Sequence, residues 1–280
     1  MILELLRVKQ WYKNLVIFLP LIFVGLALNF ESITLTLLGF FALCLMSSTN
    51  YIINDILDIE KDKVHPEKKF RPIPAGKISI TLATIIAMIL ASSSLILGFF
   101  LSQTFFFILL VFFILTQIYS IGLKNEVFLD IILISTNFVL RAISGAFILN
   151  VRVSPWLILC TFLLSLFLAS AKRKADLLLL KEKAKEHKKV LEHYSLELTN
   201  NLLLVTMILL LISYCLYSFL SIHPNLIYTL PIALYVIFRY FYLTTKGSEI
   251  TRHPEKIYKD WRISLGIIFW ILVTFLIIYL

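Results

Sequence analysis

Three aspartates, Asp55, Asp58 and Asp62, stand three and four residues apart at the end of a long apolar run. On a helix of 3.6 residues per turn that spacing stacks the carboxylates on one face, with Asn54 beside Asp58 and Glu60 pointing elsewhere. Like charges so placed disfavour a helix by about 0.2–0.5 kcal/mol per pair, so the stack calls for a cation. Spacing alone leaves two readings open. One is a Mg2+ site, since that ion takes one or two carboxylates, keeps waters and completes its shell with substrate phosphates. The other is a solvated acidic helix end neutralised by lysines such as Lys61. The next segment, His65-Pro66-Glu67-Lys68-Lys69-Phe70-Arg71-Pro72-Ile73-Pro74-Ala75-Gly76, favours the first. It sets Lys68 and Arg71 beside the carboxylates in a proline-stiffened loop, so ligands for a metal and for phosphate oxygens are neighbours.

Other polar residues interrupt apolar sequence. Lys13 and Asn14 follow Trp11 and Tyr12, and phosphate contact explains them better than interfacial anchoring does. Asp130, Asn137, Arg141 and Ser144 share one helical face. An arginine near the centre of a span costs about 2.5–3.5 kcal/mol, so Arg141 lines a cavity with Asn137 or holds helices together. Arg239 belongs to a stripe with Tyr235, Tyr242 and Lys246, and only Lys246 is explained by snorkelling. Lys172, Arg173 and Asp176 close another apolar run, and Tyr194 follows them.

The elements that must position these groups are membrane helices. The chain has 280 residues, 60% hydrophobic and 15% charged, with a mean hydropathy of +0.91. No soluble domain hides that much apolar surface. Apolar runs fall near 15–30, 33–53, 80–101, 104–121, 127–149, 154–171, 202–222, 226–244 and 263–280. The expectation is an all-α polytopic membrane protein of nine transmembrane helices, forming a single membrane-embedded domain over 1–280. The first run holds Pro20 but lacks a small-x-small cleavage site, so it reads as a retained span. Lysine and arginine number three before the first run, six in 54–79, one at Lys124, eight in 172–200 and five in 245–262, whereas the intervening loops hold Arg152 alone. By the positive-inside rule the N-terminus and the acidic cluster are cytoplasmic and the C-terminus is outside. The net charge of +9 therefore reports membrane topology and attraction to anionic membrane lipids, and no nucleic acid is implied. Three isolated cysteines and five scattered histidines offer neither a disulfide framework nor a transition-metal motif.

Asn-Asp-x-x-Asp-x-x-x-Asp at the end of the second run, followed by Arg71-Pro72-Ile73-Pro74-Ala75-Gly76, resembles the first signature of the UbiA superfamily of intramembrane prenyltransferases. Three further stretches resemble its decaprenyl-phosphate phosphoribosyltransferase branch. They are Arg7-Val8-Lys9-Gln10-Trp11-Tyr12-Lys13-Asn14, the His65-Pro66-x-Lys68 step, and Val153-Ser154-Pro155-Trp156 leading to Lys172-Arg173-Lys174-Ala175-Asp176. The resemblance implies a nine-helix enzyme of a prokaryotic plasma membrane that moves phosphoribose from 5-phosphoribosyl 1-diphosphate (PRPP) to a polyprenyl phosphate. It implies Mg2+ on Asp55, Asp58 and Asp62, with phosphates held by Lys68, Arg71, Lys172 and Arg173 and ribose or phosphate by Tyr194. Where the superfamily has a second Asp-x-x-x-Asp, this chain has a lysine at 172 and keeps only Asp176. A conventional prenyltransferase, joining a polyprenyl diphosphate to an aromatic acceptor, shares the first site. An ion-coupled transporter is disfavoured, because its acidic site belongs near the bilayer midplane.

Overall fold

The computed structural model describes residues 2–64, 68–180 and 189–280. The His65-Pro66 step and the charged residues of 181–188 lie outside the described residues. All regular structure in the described residues is helical. Among the described residues eight helices are long and apolar enough to cross a membrane: α1 (Phe30–Leu57), α2 (Ile80–Leu101), α3 (Gln103–Ile121), α4 (Leu129–Ile148), α5 (Pro155–Leu180), α6 (Leu196–Leu220), α7 (Leu230–Thr245, entered through a 3-10 turn at Pro224–Thr229) and α8 (Trp261–Tyr279). This is an integral membrane protein.

The first expected span differs from a plain α-helix. It is a 3-10 helix over Val8–Phe18 followed by a short α-helix over Leu19–Phe23. At about 2.0 Å per 3-10 residue and 1.5 Å per α residue, the two reach about 30 Å, the thickness of a hydrocarbon core. The 3-10 winding brings every third residue to one face. Along that face Trp11 Nε1 donates to Ser48 Oγ at 3.1 Å, Asn14 Nδ2 reaches Cys44 Sγ at 3.2 Å, and Ile17 and Pro20 are buried.

Helix ends are set by side-chain caps. Asn29 Oδ1 accepts from Ser32 N–H (2.8 Å) at the start of α1, Ser79 from Leu82 N–H (3.2 Å) before α2, and Ser195 from Leu198 N–H (3.0 Å) before α6. Ser102 both ends α2, donating its N–H to Gly98 O, and starts α3, accepting from Phe105 N–H.

The chain divides into two compact units, Met1–Lys124 with Thr136–Val153, and Asn125–Ser135 with Ser154–Leu280. In the first, α1 packs on α2 and α3 around Ile17, Leu43, Met46, Phe105, Leu109 and Phe112. Gly145 is required there: a Cβ on it would stand 2.1 Å from the Ile17 carbonyl oxygen. Small residues at such contacts let backbones close up in lipid. In the second unit α5 packs on α6 and α7 on α8, about a core that includes Phe167, Leu203, Tyr240 and Ile263.

Candidate active site

In the first unit, α1 ends at Leu57 and Asp58 occupies its C-cap (φ −98°, ψ 11°). The chain then coils again over Ile59–Val64, with Asp62 N–H donating to Asp58 O at 2.8 Å. Asp55 and Asp62, two helical turns apart, converge on a single nitrogen. Arg71 Nη1 donates to Asp55 Oδ1 at 2.9 Å and to Asp62 Oδ2 at 2.6 Å, and both carboxylates are at most 3% exposed. Arg7 also donates to Asp55, and its guanidinium lies over the Tyr51 ring. Lys68 Nζ stands 3.4 Å from Asp62 Oδ1. Asp58, the most exposed of the three, faces another cation: Lys124 Nζ donates to its two oxygens at 3.0 and 2.7 Å, with Lys61 at 3.7 Å. Asn54 is half-buried one turn back, its carbonyl accepting the Asp58 N–H.

Arg71 is aimed by its own loop. Ile73 and Ile78 are buried with Leu5 and Ile52. Ala75 N–H returns to Arg71 O, and Lys77 and Ile78 N–H groups return to Pro72 O. Gly76 takes φ +69°, a conformation only glycine adopts freely. Apolar anchors and a closed turn thus fix a cation against the carboxylates.

The three aspartates are hard oxygen donors, and the Arg71 nitrogen marks a point where two of them already meet a cation. Among the described residues no three of His, Cys, Asp or Glu gather closely enough to hold a metal ion by themselves. A set that supplies one or two carboxylates and leaves the remaining positions to water and phosphate is the one Mg2+ takes, so these residues fit that ion.

The second unit holds a separate constellation. Asp130, fully buried on the first turn of α4, accepts from Arg173 Nε at 2.6 Å and from the Tyr194 hydroxyl at 2.7 Å. Tyr194 in turn accepts the Phe128 N–H at 3.1 Å. Burial, reinforced by the bond to Asp130, pushes the Tyr194 phenol above its ordinary range and keeps it a donor. Asp176 lies 3.3 Å from Arg252 Nε and 3.8 Å from Arg173 Nη1. Lys172 is half-buried on the same helix.

The remaining expected residues have local surroundings. Asn14 is buried, its Oδ1 accepting from Ser47 Oγ and its amide nitrogen facing Cys44, while Lys13 lies against the Tyr51 hydroxyl. The Arg141 guanidinium sits over the rings of Phe112 (4.7 Å) and Phe138 (5.0 Å), and among the described residues its Nε and the Asn137 Oδ1 have no hydrogen-bond partner. Arg239 pairs with Asp260 at 2.5 Å, and Asp260 also caps α8 through Ile263 N–H. That pairing holds the Asp260 carboxyl below its usual range. Four charged partners at these sites, Arg7, Lys124, Asp130 and Arg252, are absent from the sequence-based site. Arg7 and Lys124 read there as motif and topology charges, and their carboxylates lie 48 and 66 positions away.

The chain thus combines helices of membrane-spanning length with an acidic helix end faced by several cations. The profile of the UbiA prenyltransferase family matches residues 18–256, and the chain belongs to that family. Among its relatives, decaprenyl-phosphate phosphoribosyltransferase of Mycolicibacterium smegmatis is 34% identical over 198 residues, 69% of this chain and 62% of the relative. The enzyme of that name from Corynebacterium glutamicum is 33% identical over 197 residues, 69% of this chain and 59% of the relative. The chain thus spans about three fifths of the length of these curated relatives. The solved structure of a UbiA homolog from Archaeoglobus fulgidus bound to DMAPP and Mg2+ has the same fold, with a TM-score of 0.76 at 19% identity, covering 99% of this chain and 98% of that one.

Proposed function

We propose that the chain transfers phosphoribose from PRPP to a polyprenyl phosphate in a prokaryotic plasma membrane, as a single membrane-embedded domain over residues 1–280 with its site on the cytoplasmic side. The observation that carries this reading is the convergence of buried Asp55 and Asp62 on one cationic nitrogen, with Lys68, Arg7 and the Asp58–Lys124 pair in the same unit. Relatives named for this reaction support it.

Asp55, Asp58 and Asp62 would hold Mg2+. Bound there, that ion neutralises charge developing on a departing diphosphate. Arg71, Lys68 and Lys124, which neutralise the carboxylates here, supply the cations that grip and orient phosphate oxygens. The lipid phosphate oxygen bonds to the anomeric carbon as the bond from that carbon to diphosphate breaks. No general base is needed, because the attacking phosphate is already anionic. Lys172 provides a cation where the superfamily signature has a carboxylate. The one acid left in that stretch, Asp176, is held by Arg252 and Arg173. That favours direct phosphate contact over a second metal. Tyr194 and Asp130 position Arg173.

The test is to incubate purified protein with Mg2+, a polyprenyl phosphate and labelled PRPP. Label should enter the organic phase, and Lys172→Ala should lower its rate. If label stays aqueous while a polyprenyl diphosphate and an aromatic acceptor give prenylated product, the conventional prenyltransferase reading replaces this one.

A further inference from the structure

We propose that the outward groove between α7 and α8 is a binding site for an anionic phospholipid, with its phosphate on Arg262 and one acyl chain along the groove. The groove has a volume of about 630 Å³ and is lined by Ile232, Tyr235, Leu265 and Phe269, with Trp261 and Arg262 at one end. Gly266 also lines it, and a Cβ there would stand 2.9 Å from Val236 Cγ2, so the glycine lets α7 and α8 close up beneath the groove. Leu265 and Phe269 are more than half exposed, which opens the groove to lipid.

Charge identifies the occupant. Among the described residues Arg262 has no carboxylate partner. The adjacent acid, Asp260, is committed to Arg239 at 2.5 Å and to the α8 cap. Arg262 is exposed and held over the Trp261 ring at 5.4 Å. Both lie in the first turn of a span, the depth at which tryptophan and cationic heads meet lipid headgroups. Lys246 over the Tyr242 ring adds a cation near the same end of α7. From Arg262 to Phe269 the groove runs about 10 Å along α8. That is about a third of the hydrocarbon core, enough for the upper part of one acyl chain in one leaflet. A phosphate above a short apolar slot is a glycerophospholipid's outline.

Full-length protein in neutral detergent, titrated with dioleoyl phosphatidylglycerol or dioleoyl phosphatidylcholine and read by native mass spectrometry, tests this. One cation at a membrane surface contributes about 1 kcal/mol, so the wild type should retain one phosphatidylglycerol with about fivefold preference. Arg262→Gln should erase that preference and Arg262→Lys should keep it. Leu265→Trp, which fills the groove, should weaken retention of both lipids. Equal retention of both lipids by the wild type, or an undiminished preference in Arg262→Gln, overturns the proposal. Displacement of phosphatidylglycerol by equimolar polyprenyl phosphate, dependent on Arg262, would assign the groove to the substrate and overturn it as well.

Discussion

Replacing Asp130 by asparagine isolates what the buried constellation of the second unit contributes. The substitution keeps the shape of the side chain and removes its charge, leaving the Arg173 guanidinium, 5% exposed, without the carboxylate 2.6 Å away. Breaking a buried pair by neutralising one partner costs about 3–5 kcal/mol. Asp176 at 3.8 Å offers partial compensation, and the asparagine oxygen still accepts one hydrogen bond, so the lower end applies, about 3 kcal/mol. With an unfolding entropy near 2.1 cal/mol/K per residue over a chain of this size, that lowers the unfolding midpoint by about 5 °C. Tyr194→Phe removes one hydrogen bond to a charged acceptor and should cost about 2 kcal/mol. The measurement is thermal unfolding of purified protein in one fixed detergent. Asp130→Leu combined with Arg173→Met should recover most of the loss, because an apolar pair leaves no stranded charge. An Asp130→Asn midpoint within a degree of wild type, or a double variant no better than the single one, would refute the assignment of Asp130 and Arg173 as a buried lock.

Three further outcomes are expected. Asp55→Ala and Asp58→Ala should each lower phosphoribosyl transfer more than a hundredfold at saturating Mg2+ while the protein remains inserted, and normal turnover in Asp58→Ala would remove that carboxylate from the metal site. Arg71→Lys keeps the charge but loses the planar fork that can take a phosphate bidentately, so the Michaelis constant for PRPP should rise about tenfold, the equivalent of about 1.4 kcal/mol; an unchanged constant would leave Arg71 as a topology charge. Gly145→Val places a side chain where a Cβ alone would stand 2.1 Å from the Ile17 carbonyl oxygen, and it should lower the unfolding midpoint by the equivalent of about 1–3 kcal/mol, whereas Gly122→Ala, in open space, should not.

Apolar periodicity alone located most of the scaffold. The run read as 80–101 is α2, Ile80–Leu101, and the neighbouring runs agree to within a few residues with α3 and α4. Where apolarity and helicity part, the reading fell short. The run ending at 171 continues as helix to Leu180 through Lys172, Arg173 and Asp176, because charged residues extend a helix as well as apolar ones do. The first run was legible as apolar but not as 3-10, since hydropathy says nothing of winding. At the site, the acidic stretch and its following arginine were legible because both are local. The pairing was not: Asp58 meets Lys124 and Asp130 meets Arg173 across 66 and 43 positions. Arg141 illustrates the same limit, for its aromatic neighbour Phe112 belongs to another helix. Arg239 has its answer 21 residues on, at Asp260.

The 3-10 winding of Val8–Phe18 works as a phase and length standard for the N-terminus. Were the segment wound as an α-helix, it would shorten by about 5 Å. Arg7, at its start, would be withdrawn from Asp55 by that distance, beyond any ion pair. The angular phase would slip too: between Trp11 and Ile17 two turns of 3-10 helix close on the same face, whereas an α-helix ends about 120° away. Trp11 and Asn14 would then meet α1 only if Ile17 turned outward. The contacts at the two ends of the segment are therefore mutually compatible in a single winding, and the position of a cation at the acidic helix end is dictated by backbone pitch several turns away.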